Sequence, residues 1–460
     1  MSSSVQTLGR IQRLVSTQSD RVFRVTAYGR VVRVVGTLLE ATGIHARIGV
    51  ICELLSDEGV IACEIIGFER SRCFLMLLAP ATHIRPGTPI RLCDNDRNYR
   101  PSLDGLLGRV VDGLANPFDD GGQIPKVYTP PQPDRRINPM CRIPIAEPLD
   151  IGVRAINGLL SVGRGQRLGL FAGSGVGKSV LLGMLARFVK ADVIVVGLIG
   201  ERGREVREFV EENLGSALAR SVVVACPADD SAALRLRGAD LAVQLAQRFS
   251  DAGKHVLLLL DSLTRVAQAQ REIGLAMGEP PSARGYPPSA FAALPKLVER
   301  TGNGTSLESG SVTAFYTVLM EEDDLNDPIV DAARAILDGH ILLDRSLADL
   351  GIYPAIDVGA SVSRVMRKVT PPEQQADIAR FRTLWQTYRA QQDLINIGAY
   401  EHGSDPLIDE AIQRYPDMCA YVAQASDSGV NIASSQHELS SLLTNARQTS
   451  VVAIDQAEPV

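Results

Sequence analysis

Cysteine in this 460-residue chain never occurs as a C-x-x-C pair, and no histidine stands near a cysteine at zinc-ligand spacing. The usual cysteine-based metal sites are therefore excluded. The seven cysteines (52, 63, 73, 93, 141, 226 and 419) are odd in number, and the expectation is free thiols in a reducing compartment. Lysine is scarce as well: there are six, at 126, 178, 190, 254, 296 and 368, and arginine carries most of the positive charge. A lysine inside a motif is thus hard to ascribe to chance. No apolar stretch approaches the roughly 18 residues that a membrane span needs. The opening Met-Ser-Ser-Ser-Val-Gln-Thr lacks the apolar core of a signal peptide. The expectation is a cytoplasmic protein, peripherally associated with the inner face of the cell membrane. A net charge of −6 and a pI near 5.7 argue against broad nucleic-acid binding, while permitting a local basic patch. Internal repeats and low-complexity tracts are also missing.

With 45% hydrophobic and 22% charged residues, the composition is that of a globular protein with chain enough for a large core. The patterning predicts several parts. Residues 1–21 form a basic segment in which Val5, Leu8, Ile11, Leu14 and Val15 recur at helical spacing with Arg10 and Arg13 between them. Such a segment suits anionic lipid or a partner helix, and equally packing on its own domain. Residues 22–95 carry short Val- and Ile-rich runs punctuated by glycine, such as Gly29-Arg-Val-Val-Arg-Val-Val-Gly36 and Ala62-Cys-Glu-Ile-Ile-Gly67, which predict a small antiparallel β-barrel. Residues 96–150 are Pro-rich and read as a connection. From 151 to 368, strand candidates at 167–171, 193–198, 221–225, 255–260 and 311–319 alternate with helical patterns. They predict an α/β domain with a mostly parallel sheet. Residues 369–460 read as helical, with Ile378, Phe381, Leu384, Trp385 and Tyr388 marking one apolar face.

The most specific signal follows the apolar run Leu168-Gly169-Leu170-Phe171. Ala172, Gly173, Ser174, Gly175, Val176, Gly177, Lys178 and Ser179 form a phosphate-binding loop between that strand and a helix that continues with Val180. Small residues let backbone N–H groups of the turn and helix start converge on phosphate oxygens. Lys178 adds a charge near the β- and γ-phosphates, and the Ser179 hydroxyl is placed to ligate Mg²⁺. Ala172 departs mildly from the glycine usual at that position. His255-Val-Leu-Leu-Leu-Leu-Asp261 is a buried strand ending in a carboxylate that can hold the Mg²⁺ shell directly or through water. In Gly200-Glu-Arg-Gly-Arg-Glu205, a carboxylate could polarise an attacking water and a guanidinium could neutralise phosphate charge. Residue chemistry alone leaves Glu201 and Glu205 equivalent. It favours Tyr353 as a core aromatic over a base-stacking ring, and Arg364 as a surface charge over a functional group.

Together these segments resemble the rotary-ATPase and type III export ATPase family over about residues 22–415. Further stretches that carry the resemblance are Asp261-Ser-Leu-Thr-Arg265, Gly285-Tyr-Pro-Pro-Ser289, Asp323-Asp-Leu-Asn-Asp-Pro328, Tyr353-Pro-Ala-Ile-Asp357 and Ser361-Val-Ser-Arg364. The resemblance implies a RecA-like P-loop core between a β-barrel and C-terminal helices. It implies ATP and Mg²⁺ as ligands, Glu201 as the water-activating glutamate and Arg202 as a phosphate-contacting arginine. Tyr353 matches the ring that stacks on adenine, and Arg364 the arginine finger that enters a neighbouring subunit's site. Non-catalytic subunits of rotary synthases lack a glutamate at the position of Glu201, so its presence marks a hydrolytic site. One chain then carries both halves of a shared site, which implies a homo-oligomeric ring, a hexamer in this family.

Within the family, Gly169-Leu-Phe-Ala-Gly-Ser-Gly-Val-Gly-Lys-Ser-Val-Leu-Leu-Gly183 and Asp393-Leu-Ile-Asn-Ile-Gly-Ala-Tyr400 look more like the flagellar branch than the virulence injectisome branch. The expected function is ATP hydrolysis that energises or primes export of flagellar proteins, with the injectisome ATPase as the alternative. A proton-driven synthase subunit would need an acidic rotor-contact stretch that residues 366–460 lack. An RNA-translocating hexamer would need an aromatic, basic N-terminal module. Here Phe23, Tyr28, Phe68 and Phe74 are few and the chain is acidic, so no specific nucleic acid is expected. A scaffold that binds ATP without hydrolysis fits poorly with Lys178, Glu201, Asp261 and Arg364 all present. The partners implied by resemblance are further copies of the chain, a coiled-coil central stalk protein, export chaperone–substrate complexes and the membrane export gate. A stator-like regulator is assigned to the N-terminal segment. The run Glu321-Glu-Asp-Asp324 reads as a solvated loop.

Overall fold

A computed structural model of the chain describes residues 28–444 apart from 58, 80–82, 94–98, 129–137, 307–308, 321–323 and 325. The basic segment 1–21 and most of the acidic run ending at Asp324 lie outside the described residues.

Two compact units divide the chain after Asn95. In the first, alternation of inward apolar and outward polar side chains closes six strands into a barrel. The strands are β1 (Tyr28–Val35), β2 (Leu38–Thr42), β3 (Ile51–Ser56), β4 (Gly59–Glu69), β5 (Arg72–Leu77) and β6 (Pro89–Leu92). Their order is β1-β2-β5-β4-β3-β6, with every neighbour antiparallel. Leu39 and Ala41, Cys52 and Leu54, Cys63 and Ile65, and Cys73 and Leu75 fill the interior at a period of two. Burial pushes the Cys52 thiol up to about 12 and raises Cys63 and Cys73 as well, so these sulfurs act as small core hydrophobes.

In the second unit, the Pro-rich stretch holds β7 (Tyr99–Pro101), β8 (Arg109–Val111) and β9 (Lys126–Tyr128). Next come α1 (Arg154–Leu159), β10 (Arg167–Ala172), α2 (Lys178–Phe188), β11 (Val193–Ile199), α3 (Gly203–Glu208), β12 (Ser221–Cys226), α4 (Ala232–Asp251), β13 (His255–Asp261), α5 (Leu263–Ala276) and α6 (Pro288–Val298). They are followed by β14 (Gly302–Asn303), β15 (Ser311–Leu319), α7 (Pro328–Ile336), β16 (Gly339–Leu343), α8 (Arg345–Asp349), β17 (Ile356–Ser363) and α9 (Met366–Val369). The main sheet runs β17-β16-β10-β15-β13-β11-β12-β8, with β14 pairing β15 off that path, while β7 pairs β9 separately. Each strand read from the sequence is present, with its end shifted by one residue or none.

Strands β11 and β12 are buried at every position because helices cover both faces of the parallel sheet. Strands β8, β16 and β17 carry no comparable apolar run. β8 is an edge strand added by the Pro-rich stretch, and β17 runs antiparallel to β16 at the opposite edge.

Three helices close the chain: α10 (Pro372–Asn396), α11 (Pro406–Val422) and α12 (Ile432–Thr444). Ile378, Phe381, Leu384 and Trp385 of α10 are buried on the expected face, and Tyr388 stacks on Tyr415 of α11 with ring centroids 3.6 Å apart. Arg154 on α1 fixes this layer to the sheet domain by donating to the Ala420, Tyr421 and Ala423 carbonyls and to Glu438. Among the described residues, no helix is long and apolar enough to cross a membrane.

Candidate active site

Ala172 ends β10, and residues 173–177 turn the chain onto Lys178, the first residue of α2. Gly177 caps that helix in the left-handed region at φ +86°, which disfavours any residue with a Cβ. A Cβ there would also approach Tyr353 Cδ1 at 3.3 Å, so glycine lets the tyrosine ring lie close against the loop. That ring is 46% exposed, which separates Tyr353 from the core aromatics. Val176 is buried beneath the loop, and Val180 stays exposed beside it. The 11-residue helix α2 points its N-terminus at the same place, where free N–H groups and the helix dipole favour an anion.

Strand order decides what faces the loop. β15 separates β10 from β13, and β11 lies beyond β13. The carboxyl ends of β10, β13 and β11 therefore form one rim. Across it, Lys178 Nζ donates to Asp261 Oδ1 at 2.7 Å and to Glu201 Oε1 at 3.3 Å. Thr317 on β15 completes the cluster by donating its hydroxyl to Asp261 Oδ1 at 2.6 Å.

These groups are buried, and burial governs their protonation. Burial is the largest influence raising the Glu201 carboxyl, the nearby Asp261 carboxylate adds to it, and Lys178 opposes both; the outcome is about 7. For Lys178, burial favours the neutral amine, but Asp261 and Glu201 outweigh it and hold the ammonium above its ordinary value. The geometry also distinguishes the two candidate glutamates. Glu201 accepts from Lys178 in the buried cluster, whereas Glu205, whose side chain lies against Glu201, accepts from Arg202 Nη1 at 3.0 Å. The Arg202 guanidinium is exposed in that pair.

Residues 152–363 match the nucleotide-binding domain of the ATP synthase alpha/beta family, and residues 370–441 match the T3SS EscN ATPase C-terminal domain. The flagellum-specific ATP synthase of Pseudomonas aeruginosa is 53% identical over 425 residues, spanning 91% of this chain and 94% of that protein. The type 3 secretion system ATPase of Xanthomonas euvesicatoria is 47% identical over 405 residues, with 87% and 90% covered. The chain belongs to the flagellar and type III secretion ATPases. Its fold agrees with the assembled ATPase EscN from the enteropathogenic E. coli type III secretion system, at a TM-score of 0.83 and 40% identity over 90% of this chain and all of that one. EscN in complex with its central stalk EscO is similar too, with a TM-score of 0.78, 39% identity and the same coverage.

In this ATPase the loop, Lys178, Glu201, Asp261 and Tyr353 share one rim, but Arg364 does not. Its backbone N–H donates to the Asp338 carbonyl, and the Asp338 N–H donates to the Arg167 carbonyl at the start of β10. The phosphate loop lies at the other end of that six-residue strand, roughly 16 Å away at β-strand rise. The exposed Arg364 guanidinium donates to the Arg334 carbonyl at 3.0 Å.

Ser179 is exposed in the first turn of α2. With the Asp261 carboxylate it supplies hard oxygens of the kind Mg²⁺ takes. Among the described residues, no cluster of three or more His, Cys, Asp or Glu could hold a metal ion. A Mg²⁺ held by this pair would leave positions for phosphate oxygens and water.

Thr317 carried no expectation from the sequence. Its signal was a polar side chain inside Ser311-Val-Thr-Ala-Phe-Tyr-Thr-Val-Leu319, which becomes informative once β15 is known to lie beside β13.

If the exposed ring supports a base, Tyr353→Ala will raise KM for ATP about tenfold with kcat little changed, the loss of roughly one stacking contact. Tyr353→Trp will retain affinity. Steady-state kinetics of the three proteins check this, and an unaltered KM for the alanine variant would exclude the assignment.

Proposed function

We propose that this ATPase hydrolyses Mg²⁺-bound ATP at sites shared between neighbours in a homohexameric ring, energising or priming export of flagellar proteins through the type III export apparatus. The observation that carries the shared site is the position of Arg364. Four elements of the site meet at the carboxyl rim of the sheet, while Arg364 is exposed at the amino end of β10. An arginine so placed reaches a phosphate of another subunit more readily than one of its own. Head-to-tail contact of this kind gives a ring when the rotation between neighbours closes.

Each side chain then has a task. Backbone N–H groups of residues 173–179 hold the phosphates, and Lys178 leaves its carboxylate partners to neutralise them. Ser179 and Asp261 would hold Mg²⁺, which would supply neutralisation of phosphate charge. Glu201 accepts the proton of the attacking water, a task suited to a carboxyl held near neutrality. Arg202, once it exchanges Glu205 for phosphate, contacts the nucleotide. Arg364 of the adjacent copy stabilises the charge that builds on the transferring group.

Identity to flagellum-specific ATP synthases, 53% in Pseudomonas aeruginosa and 51% in Salmonella typhimurium, supports the flagellar assignment over the injectisome. By analogy with EscN and EscO, the ring takes a coiled-coil stalk in its centre. The stator-like regulator, the export chaperone–substrate complexes and the membrane export gate are partners of the same reading. So is a position at the cytoplasmic face of the membrane, with the basic N-terminal segment near anionic lipid.

A gene deletion complemented with wild type or Glu201→Gln provides the test. Filaments and swimming will be lost, wild type will restore them, and Glu201→Gln will not. Normal motility with lost effector secretion would transfer the protein to the injectisome branch, and intact secretion of both kinds would refute the export function.

A further inference from the structure

Among the described residues, the C-terminal layer is hydrogen-bonded at two places to the short piece of chain that includes α8. At the first, Arg389 of α10 donates Nη2 to Asp344 Oδ2 and Nη1 to Ser346 Oγ at 3.0 Å. Asp344 is the N-cap of α8: its Oδ1 accepts the Ser346 N–H at 2.9 Å and its Oδ2 accepts the Ser346 hydroxyl at 2.7 Å. The next residue, Arg345, donates Nη2 to the carbonyl of Ser174, inside the phosphate loop, at 3.1 Å.

At the second point, the backbone N–H of Gln424, just beyond α11, donates to the Tyr353 carbonyl at 2.8 Å. Gln424 is itself fixed, accepting the Arg154 N–H at 2.7 Å and donating to the Gly152 carbonyl at 2.9 Å. Residues 344–353 thus touch the phosphate loop at one end and bring Tyr353 against Gly177 at the other. Each end is tied to the C-terminal helices.

A purely structural account would have these bonds serve only to cap α8. The cap is already complete without Arg389, since Asp344 satisfies the Ser346 N–H alone. A half-buried guanidinium from another layer then has no capping task left, and its charge-assisted bonds fix where the cap sits. Arg345, the first residue of α8, extends its guanidinium outward to a carbonyl of the loop.

We infer that Arg389 and Arg345 are positioning residues for nucleotide. Arg389 sets α8 through Asp344, Arg345 passes that setting to the phosphate loop, and the C-terminal helices thereby tune nucleotide affinity. This rests on residues 172–179 and Tyr353 holding the nucleotide.

The test uses the full-length protein and compares wild type with R345Q, R389A, R389K, the double variant R345Q/R389A, and K178A as a control. KM for ATP, kcat and the dissociation constant of ADP are measured for each. R345Q and R389A will each raise KM and the ADP dissociation constant about tenfold, within the usual span of coupling between sites, and kcat will stay within about twofold. The double variant will also lie near tenfold, because both changes break one connection. R389K will fall between wild type and R389A, keeping the charge but losing the two-pronged geometry.

Multiplication to about a hundredfold in the double variant would show independent sites and overturn the relay. So would a loss confined to kcat, or no change at all in R345Q. Should R389A fail to fold, R345Q and R389K carry the comparison, since one is at an exposed position and the other preserves the ion pair. If K178A binds ADP like wild type, the nucleotide-site reading is at fault. If K178A loses binding while R345Q and R389K match wild type, only the relay is wrong.

Discussion

Replacing Glu201 with glutamine will lower kcat by about 10²–10⁴-fold, the usual contribution of a general base, while ADP binding changes by less than about twofold. The amide matches the carboxylate in size and can still accept from Lys178, so the loss reports proton acceptance rather than packing. The pH profile gives the sharper reading. Burial, reinforced by Asp261, lifts the Glu201 carboxyl to about 7. A base works only when ionised, so kcat/KM of the wild type will rise with pH through about 7, and Glu201→Gln will lose that limb.

Stability has a sign of its own. With its pKa above the unfolded value, folded Glu201 holds its proton more tightly than the unfolded chain does. Wild-type stability therefore falls as pH rises from roughly the unfolded pKa of 4.3 toward the folded value near 7, and the penalty is complete above both. Glu201→Gln escapes it, so thermal melts at pH 8 will show the variant at least as stable as wild type, with the gap closing below about pH 5. A variant that melts far below wild type at pH 8, or one that retains full turnover, would remove Glu201 from the base role.

Arg364→Ala will reduce turnover by about 10³–10⁵-fold, the range measured for arginine fingers. Its effect on the fold will be small, because the guanidinium is exposed and gives up a single bond to the Arg334 carbonyl. The decisive experiment mixes two inactive proteins. A site on an Arg364→Ala subunit retains Glu201, and a neighbouring Glu201→Gln subunit can supply Arg364. In rings assembled at random from equal amounts, roughly a quarter of the head-to-tail interfaces will be complete. Phosphate release from the mixture will then greatly exceed that of either parent. Rings that assemble from both variants and stay silent would mean that Arg364 acts within its own subunit or not at all.

Much of this site was legible in the sequence because its densest part is local. A strand, a tight turn and a helix start fix where backbone N–H groups point, so residues 172–179 carry their chemistry in one continuous stretch. The parallel strands were legible for a related reason. Burial on both faces demands uninterrupted apolar runs such as Val193-Ile-Val-Val-Gly-Leu-Ile199, and few other structures do. The C-terminal helix α10 declared its inner face through a 3.6-residue period.

What the sequence could not decide was lateral order and reach. Nothing in β15 announces that it inserts between β10 and β13, yet that insertion brings Lys178, Asp261 and Thr317 together. Glu201 and Glu205 have the same chemistry and stand four residues apart. Only the rim formed by β13 and β11 sets one against Lys178 and the other against Arg202. The antiparallel turn of β17 along β16 was equally silent, and it carries Arg364 to the amino end of the sheet. The contact of Arg345 with Ser174 links residues 171 positions apart. Local motifs are fixed by backbone geometry over a few residues, so the sequence determined which groups this ATPase has for phosphate. Which of them face one another depends on strand pairing between distant segments, and that was decided by the tertiary structure alone.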